Sequence, residues 1–432
     1  MDYMNKKIAI VGFGIEGQSS AEYFSRCGAK ITVLDSNENS EVESDYQAEL
    51  GEAYLENIDK FDLVVRSPSI RPDLLKDAKQ ITTATQIFFD NCKGNIIGVT
   101  GTKGKGTTSS LTAKLLESQG VKTWLGGNIG VPMLSFLDEV KPGDAVVLEL
   151  SSFQLIDLNA RAEIAVCLMI EPDHMNWHQD MAEYIAAKAG ITTNQLATDV
   201  TIYNPSNQNT AKAIENSLAT MIPALNPEVQ ITNEKVVFNG HELLKTEETG
   251  LIGRHNLENI SSALNVLNQY AQKHSIDIDY QAVSRVIREF KGLPNRLEFV
   301  RELDGVSYIN DSYSSTPSAA IAGIEAVAKP IIAIIGGVDK GVELDYLAKD
   351  LSSIKHTVLI GETASIIEVK LKSLGASNFT VIGGDMRHIV KTCQNLSEPG
   401  DSVLLSPGSS SFDMFRNFTD RGNQFREVVS NL

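Results

Sequence analysis

The sequence predicts an α/β fold built on mainly parallel sheets, and three observations carry this. Short β-branched runs alternate with longer helical patterns along the chain. Most of these runs are continuously apolar and do not alternate, as strands covered by helices on both faces do. Two of the runs feed directly into glycine-rich turns that open helices. The 432 residues suit two to four domains, at about 100–200 residues each.

The clearest strands are Lys7–Val11, Lys30–Leu34, Leu63–Arg66, Asn95–Val99, Ala145–Leu150, Ile164–Ile170, Val200–Tyr203, Val306–Ile309, Pro330–Ile335, Thr357–Ile360 and Ser402–Leu405. The cluster Cys92-Lys-Gly-Asn95 separates a first unit from a second, and Lys291-Gly-Leu-Pro-Asn295 separates the second from a third. The expected domains are therefore residues 1–92, 93–293 and 294–432. Residues 206–250 are polar, with weak strand signals, and read as irregular. No internal repeat or low-complexity tract appears.

Hydrophobic residues make up 42% and charged residues 22%, an ordinary balance for a chain that buries real cores. The 55 acidic against 38 basic residues leave a formal charge of −17, which argues against nucleic-acid partners and against docking on an anionic membrane. No apolar run approaches the ~18 residues of a membrane helix. Lysines precede Ile8–Val11 as they would in a signal peptide, but this run is a strand's length and ends in glycines, so it reads as the first strand. Cys27, Cys92, Cys167 and Cys393 are far apart and lie in or beside apolar segments. They are expected to be free thiols in a reducing cytoplasm, with no zinc site.

Gly12-Phe-Gly14-Ile15-Glu16-Gly17 follows a strand and opens a helix, and Asp35 ends the next strand. This is the dinucleotide fingerprint in its required setting, and it is open to NAD, to another nucleotide or to none. Gly101-Thr102-Lys103-Gly104-Lys105-Gly106-Thr107-Thr108 lies between the strand ending at Val99 and a helix read as Ser109–Gln119. There, backbone N–H groups would cradle phosphates and Lys105 would reach the terminal ones. Gly106 stands where a metal-binding hydroxyl normally follows the lysine, so Thr107 or Thr108 would supply it. Glu149 and the segment Glu171-Pro-Asp-His174 also end apolar strands, and ligands of open α/β sheets bind outside such ends. Their oxygens and imidazole suit Mg²⁺ completed by ATP phosphates. Asn310-Asp311-Ser312, Gly336–Lys340 and Ser406–Ser411 end three later strands.

In this order the pieces resemble the Mur ligase family of ATP-dependent amide-forming enzymes. The carriers are Gly12–Gly17, Ser67–Ile70, Gly101–Thr107, Gly126–Gly130, Leu148–Gln154, Asp173–Met175, Ala186–Lys188, Gly253–Asn256 with Asn259, Leu293–Arg296, Asn310–Ser312, Gly336–Lys340, and Leu405–Pro407 through Arg421–Asn423. The likeness spans essentially the whole chain and is greatest to members that join D-glutamate to UDP-N-acetylmuramoyl-L-alanine in peptidoglycan precursor synthesis. It implies a Rossmann-like N-terminal domain holding UDP, a central P-loop ATPase-type domain and a Rossmann-like C-terminal domain for the incoming amino acid. It implies a cytoplasmic monomer acting on small molecules. A folylpolyglutamate synthase-like ligase is the alternative, set lower because such enzymes lack the N-terminal domain. An NAD-dependent oxidoreductase is set lower still.

Carried over by position, the resemblance gives Lys105, Glu149, His174 and Lys188 the catalytic roles. ATP would be held by Gly101, Thr102, Lys103, Gly104, Lys105, Gly106 and Thr107, with Asn259 at adenine and Arg296 and Asp311 at ribose. Mg²⁺ would be held by Thr107, Glu149, His174 and a carbamylated Lys188. The UDP-substrate would contact Gly14, Ile15, Glu16, Asp35, Ser36, Ser69, Asn128, Ser151 and His174. D-glutamate would face Ser315, Lys340, Ser411, Phe412 and Phe418. Tyr313 stands where such members usually carry a lysine after Asn-Asp-Ser, which implies a weaker grip on the amino-acid carboxylate. In the implied chemistry ATP turns a carboxylate into an acyl phosphate, and an amine then displaces phosphate.

Overall fold

The computed structural model describes residues 3–251, 253, 255–327, 330–339, 341 and 343–432. Strands β1 (Lys7–Val11), β2 (Lys30–Asp35), β3 (Gln47–Leu50), β4 (Leu63–Arg66) and β5 (Ile81–Thr83) form a parallel sheet in the order β3-β2-β1-β4-β5. Residues 8–11 of β1 are all buried, which is why their run is apolar on both faces.

A second sheet holds β6 (Asn95–Thr100), β7 (Thr123–Gly127), β8 (Ala145–Glu149), β9 (Ile164–Cys167), β10 (Val200–Tyr203) and β11 (Thr220–Pro223). Its order is β11-β10-β9-β6-β8-β7, with every pair parallel. Placing β6 between β9 and β8 brings the loops after these three strands to one edge, the usual ligand edge of such sheets. The two sheets share one apolar core, which runs from Ile8, Phe24 and Phe88 to Phe136 and Leu148. Accordingly one compact unit comprises Met1–Glu247 and Glu258–Val286. Within it, β12 (Val229–Ile231), β13 (Lys235–Phe238) and β14 (His241–Lys245) make a small antiparallel sheet in the stretch expected to be irregular.

The other unit comprises Glu248–Leu257 and Ile287–Leu432. Its sheet holds β15 (Glu298–Leu303), β16 (Val306–Asn310), β17 (Ile331–Gly336), β18 (His356–Ile360), β19 (Phe379–Val381) and β20 (Ser402–Leu405), in the order β15-β16-β20-β17-β18-β19. Only β15 runs antiparallel to its neighbour. The α/β class with mainly parallel sheets is thus what the chain adopts. Besides the small antiparallel sheet and shifts of a residue at strand ends, two differences from the sequence reading bear on the site. The strand expected over Ile164–Ile170 stops at Cys167, beyond which Leu168 N–H bonds the Thr100 carbonyl as the chain turns toward the phosphate loop. The helix expected from Ser109 starts at Lys105, because Gly104 takes the left-handed conformation (φ 82°) as its N-cap.

Candidate active site

The glycine turn after β1 leads into the helix Ile15–Arg26. A Cβ at Gly17 would run into the Gly12 carbonyl oxygen, so this helix packs close only with glycine there. Gly14 has nothing within 4 Å of where its Cβ would lie, and Ile15 and Ser36 are exposed beside it. Asp35 accepts from Phe13 N–H at 2.6 Å and from Asn37 N–H at 2.9 Å, so its carboxylate braces the turn. Glu16 is partly buried and accepts from Gln154 Nε2 at 2.6 Å. Burial pushes its carboxyl up to about 7, against the Gln154 bond. The Ser69 carbonyl accepts from the Trp177 indole at 3.0 Å.

The loop after β6 surrounds the N-terminus of the helix Lys105–Ser118. Lys105 Nζ donates to the carbonyls of Gly101 at 3.1 Å and Thr102 at 3.0 Å. The Thr102 hydroxyl lies between the Glu171 backbone and the Tyr184 hydroxyl, so it pins the loop. Lys103 is exposed, Gly106 is buried in the first turn and Thr107 is half-buried beside it. Thr108 is fully buried and donates to Asn259 Oδ1 at 3.2 Å. A Cβ at Gly104 would strike that same oxygen. Asn259, expected at adenine, therefore packs directly on the phosphate loop.

Glu149 ends β8 with 2% exposure. Its Oε1 accepts from Asn128 Nδ2 at 2.9 Å, while Oε2 is buried with no hydrogen-bond partner among the described residues. A buried, unpartnered carboxylate oxygen calls for a cation. Lys188, on the helix Met181–Ala189, is 1% exposed and donates to the Gly101 carbonyl at 2.7 Å. Burial, followed by the charge of Lys105, pulls its ammonium down to about 7, with Asp173 and Glu149 opposing. His174 is half-exposed at a positive φ of 56°, and burial and the two lysines lower its pKa. Among the described residues no three His, Cys, Asp or Glu side chains cluster as a metal cage. A Mg²⁺ ion needs none, since one or two carboxylates with phosphate and water oxygens suffice. The Glu149 oxygen fits that pattern, with His174, Thr107 and Lys188 as the further candidates.

In the other unit, Asp311 is buried and accepts from Ser314 Oγ at 2.6 Å, Ser406 Oγ at 2.7 Å and Leu297 N–H at 3.1 Å. Burial raises its carboxyl to about 6, against these bonds. The Arg296 guanidinium carbon lies 3.8 Å from the centre of the Tyr313 ring, and that ring meets Phe418 edge-on at 5.1 Å. Ser411 is buried, Ser315 half-buried, and Phe412 and Phe418 are exposed. Buried Arg421 ties these loops together by donating to the Ser312 hydroxyl and carbonyl at 2.9 Å each and to the Ser409 carbonyl at 3.2 Å. Lys340, and Arg254 of the Gly253–Asn256 motif, lie outside the described residues.

Three family models match in succession: "Mur ligase MurD-like, N-terminal domain" at 6–87, "Mur ligase middle domain" at 99–267 and "Mur ligase, glutamate ligase domain" at 295–408. The UDP-N-acetylmuramoylalanine–D-glutamate ligase of Clostridium kluyveri is 35% identical, over 99% of this chain and 97% of that one. The chain belongs to the Mur ligase family. The ligase of the same name from Clostridium perfringens matches this Mur ligase at 35% identity over the same shares. Among solved structures, MurF ligase from Thermotoga maritima in complex with ADP aligns with a TM-score of 0.59 at 17% identity, covering 99% of this chain and 96% of its own. Mycobacterium tuberculosis folylpolyglutamate synthase, complexed with ADP and AMPPCP, aligns at 0.56 and 15%, covering 82% and 93%. At such identities the structures speak for a shared fold alone.

Several roles of side chains in this Mur ligase site escape a sequence reading. Asn128, expected at the substrate, is the residue that orients Glu149. Arg66 ends an apolar strand, fully buried, and pairs with Asp157 at 2.6 Å. Ser151 and Gln154 form a capping box, whose Ser-x-x-Gln signal is readable in the sequence. No helix among the described residues is long and apolar enough to cross a membrane.

Proposed function

We propose that this Mur ligase joins D-glutamate to UDP-N-acetylmuramoyl-L-alanine at the expense of ATP, as the names of its clostridial relatives suggest. Residues 1–92 would hold the UDP-substrate, 93–293 ATP, and 294–432 the amino acid. The observation that carries the reading is the meeting of Lys105 and Lys188 at the Gly101 carbonyl, at the mouth of a phosphate cradle. Phosphate is the ligand that the Lys105 ammonium and a helix N-terminus suit, with Lys188 held beside them as the group that burial keeps near neutrality.

The substrate carboxylate attacks the terminal phosphorus of ATP and ADP leaves. The amine of D-glutamate then attacks the acyl carbon, loses a proton, and phosphate departs. Lys105 and the first turn of the helix Lys105–Ser118 neutralise charge on the transferred phosphoryl group. Asn128 holds one oxygen of Glu149 so that the other faces the cation site. Bound Mg²⁺ would supply charge neutralisation and orientation of phosphate oxygens. Lys188, buried and easily neutral, is suited to take up CO₂ as a carbamate, with release of a proton. The Ser151 turn and the Gly12–Gly17 turn would receive the muramoyl-peptide and UDP parts. Ser315, Ser411, Phe412, Phe418 and Lys340 would receive the amino acid.

The test is phosphate release and product formation with Mg-ATP and UDP-N-acetylmuramoyl-L-alanine across a panel of amino acids. D-glutamate should give the highest kcat/KM. Equal or better use of another amino acid would refute the substrate part, and absence of any ATP-dependent product would refute the ligase reading.

A further inference from the structure

Four side chains outside the expected catalytic set form a continuous hydrogen-bonded chain. Arg71 Nη2 donates to Glu183 Oε1 at 3.1 Å. Glu183 Oε2 lies 3.2 Å from His178 Nδ1, and His178 Nε2 lies 2.9 Å from Ser152 Oγ. A carboxylate can only accept, and the Arg71 ion pair, the largest influence on Glu183, keeps it ionised. Nδ1 therefore carries the imidazole proton, and Nε2 accepts from the Ser152 hydroxyl.

This order of serine, histidine and acid is that of a hydrolytic triad. Ser152 and His178 are each only 2% exposed, so no acyl group can reach the hydroxyl. What the chain does touch is more informative. At one end Arg71 also donates to the Trp177 carbonyl, and Trp177 donates to the Ser69 carbonyl. At the other end Ser152 adjoins Ser151, the N-cap whose box partner Gln154 reaches Glu16. Ser69, Ser151 and Glu16 are all expected contacts of the UDP-substrate. Among the described residues, no hydrogen bond from these four side chains goes to the phosphate loop Gly101–Thr108. The hydrogen bonds of the chain thus brace one substrate side of the site, and its link toward the phosphate loop is the edge contact of His178 with Tyr184 at 5.1 Å, whose hydroxyl meets Thr102.

We propose that His178 is a positioning residue for the muramoyl-peptide substrate, acting through a relay of Arg71, Glu183 and Ser152. The relay fixes the spacing between the Ser69–Arg71 loop and the Ser151–Ser152 turn, so one substrate molecule can bridge both. This rests on the functional reading above and adds residues to it.

The experiment measures KM for UDP-N-acetylmuramoyl-L-alanine and for ATP separately, with thermal unfolding of each variant. His178→Ala and Ser152→Ala should raise KM for the UDP-substrate at least fivefold and leave KM for ATP within twofold. Arg71→Gln cuts the relay at its solvent end without opening a core cavity, so it covers a failure of His178→Ala to fold. It should shift the same KM, and Arg71→Lys should restore part of the loss. The double variant Arg71→Gln, Ser152→Ala should be no worse than twice the worse single, since both break one relay. An unchanged KM for the UDP-substrate in folded variants, or an equal rise in both KM values, would overturn the relay. An inactive wild-type protein would overturn the ligase reading instead.

Discussion

Lys188 Nζ donates to the Gly101 carbonyl oxygen at 2.7 Å from 87 residues away in sequence. Lys105 donates to the same oxygen from within the loop, at 3.1 Å. The Lys105 ammonium at the N-terminus of its helix is poised for an anion, with a near-neutral lysine sharing its acceptor. Lys105→Ala should reduce ATP-dependent phosphate release at least a hundredfold, because it removes the charge proposed to neutralise the terminal phosphates. Its side chain is only part-buried, so the melting temperature should stay within a few degrees. Phosphate release alongside calorimetry checks both.

Lys188 is neutral in the fold above about pH 7, whereas an unfolded lysine holds its proton to about 10.5. Between these values the unfolded chain binds the extra proton. Stability should therefore rise with pH, by up to about 1.4 kcal/mol per unit from this group, and the gain is absent below pH 7. Urea unfolding at pH 7 to 9 in CO₂-depleted buffer should show this slope reduced in Lys188→Met. Equal slopes in both proteins would show that burial does not set the lysine's charge.

Glu16 gives the opposite sign. Its folded carboxyl titrates at about 7, against about 4.5 unfolded, so the unfolded chain loses its proton first. Stability should fall as pH rises between these values and stay low above them. Glu16→Gln keeps an acceptor for Gln154 Nε2 and removes the titration. It should match the wild type near pH 4.5 and exceed it at pH 8 by about 1–2 kcal/mol, allowing for solvent at a partly buried site. Unfolding midpoints at the two pH values decide it.

Tyr313 occupies the position of a lysine in the family resemblance, and the Arg296 guanidinium lies over its ring. A half-exposed cation–π contact is worth about 0.5–1 kcal/mol, or about two- to fivefold in binding. The family resemblance implies that Arg296 serves the ATP ribose, so Tyr313→Leu should raise KM for ATP by that factor, and Tyr313→Phe should leave it unchanged. Tyr313→Lys should behave like Tyr313→Leu or worse, because it sets an ammonium against a guanidinium. A normal KM for ATP in Tyr313→Lys would show that the stack is idle.

The legible parts of this protein were those set by neighbours in the chain. β1, β4, β10 and β20 begin and end where the apolar runs do, because a strand buried on both faces needs an unbroken run. The edge strands β3 and β5 were not legible, since Gln47–Leu50 and Ile81–Thr83 are short, part-exposed and mixed in polarity. The antiparallel β12 to β14 were hidden for the same reason. At the site, the glycine loops were readable because turn geometry is local. Roles that depend on distant partners were not: Asp35 bracing Phe13, Asn128 orienting Glu149, and Thr102 pinned by Tyr184.

The sequence by itself determined the α/β class, the two phosphate-type turns and the family resemblance, for these rest on residue type and short spacing. Only the tertiary structure decided that Glu149 keeps one oxygen unpartnered, that Lys188 meets Lys105 at Gly101, and that His178 joins Ser152 to Glu183. The physical reason is desolvation. Charge and proton position in these groups are set by burial among partners 4 to 87 residues away, and burial exists only once the sheets have closed on their shared core.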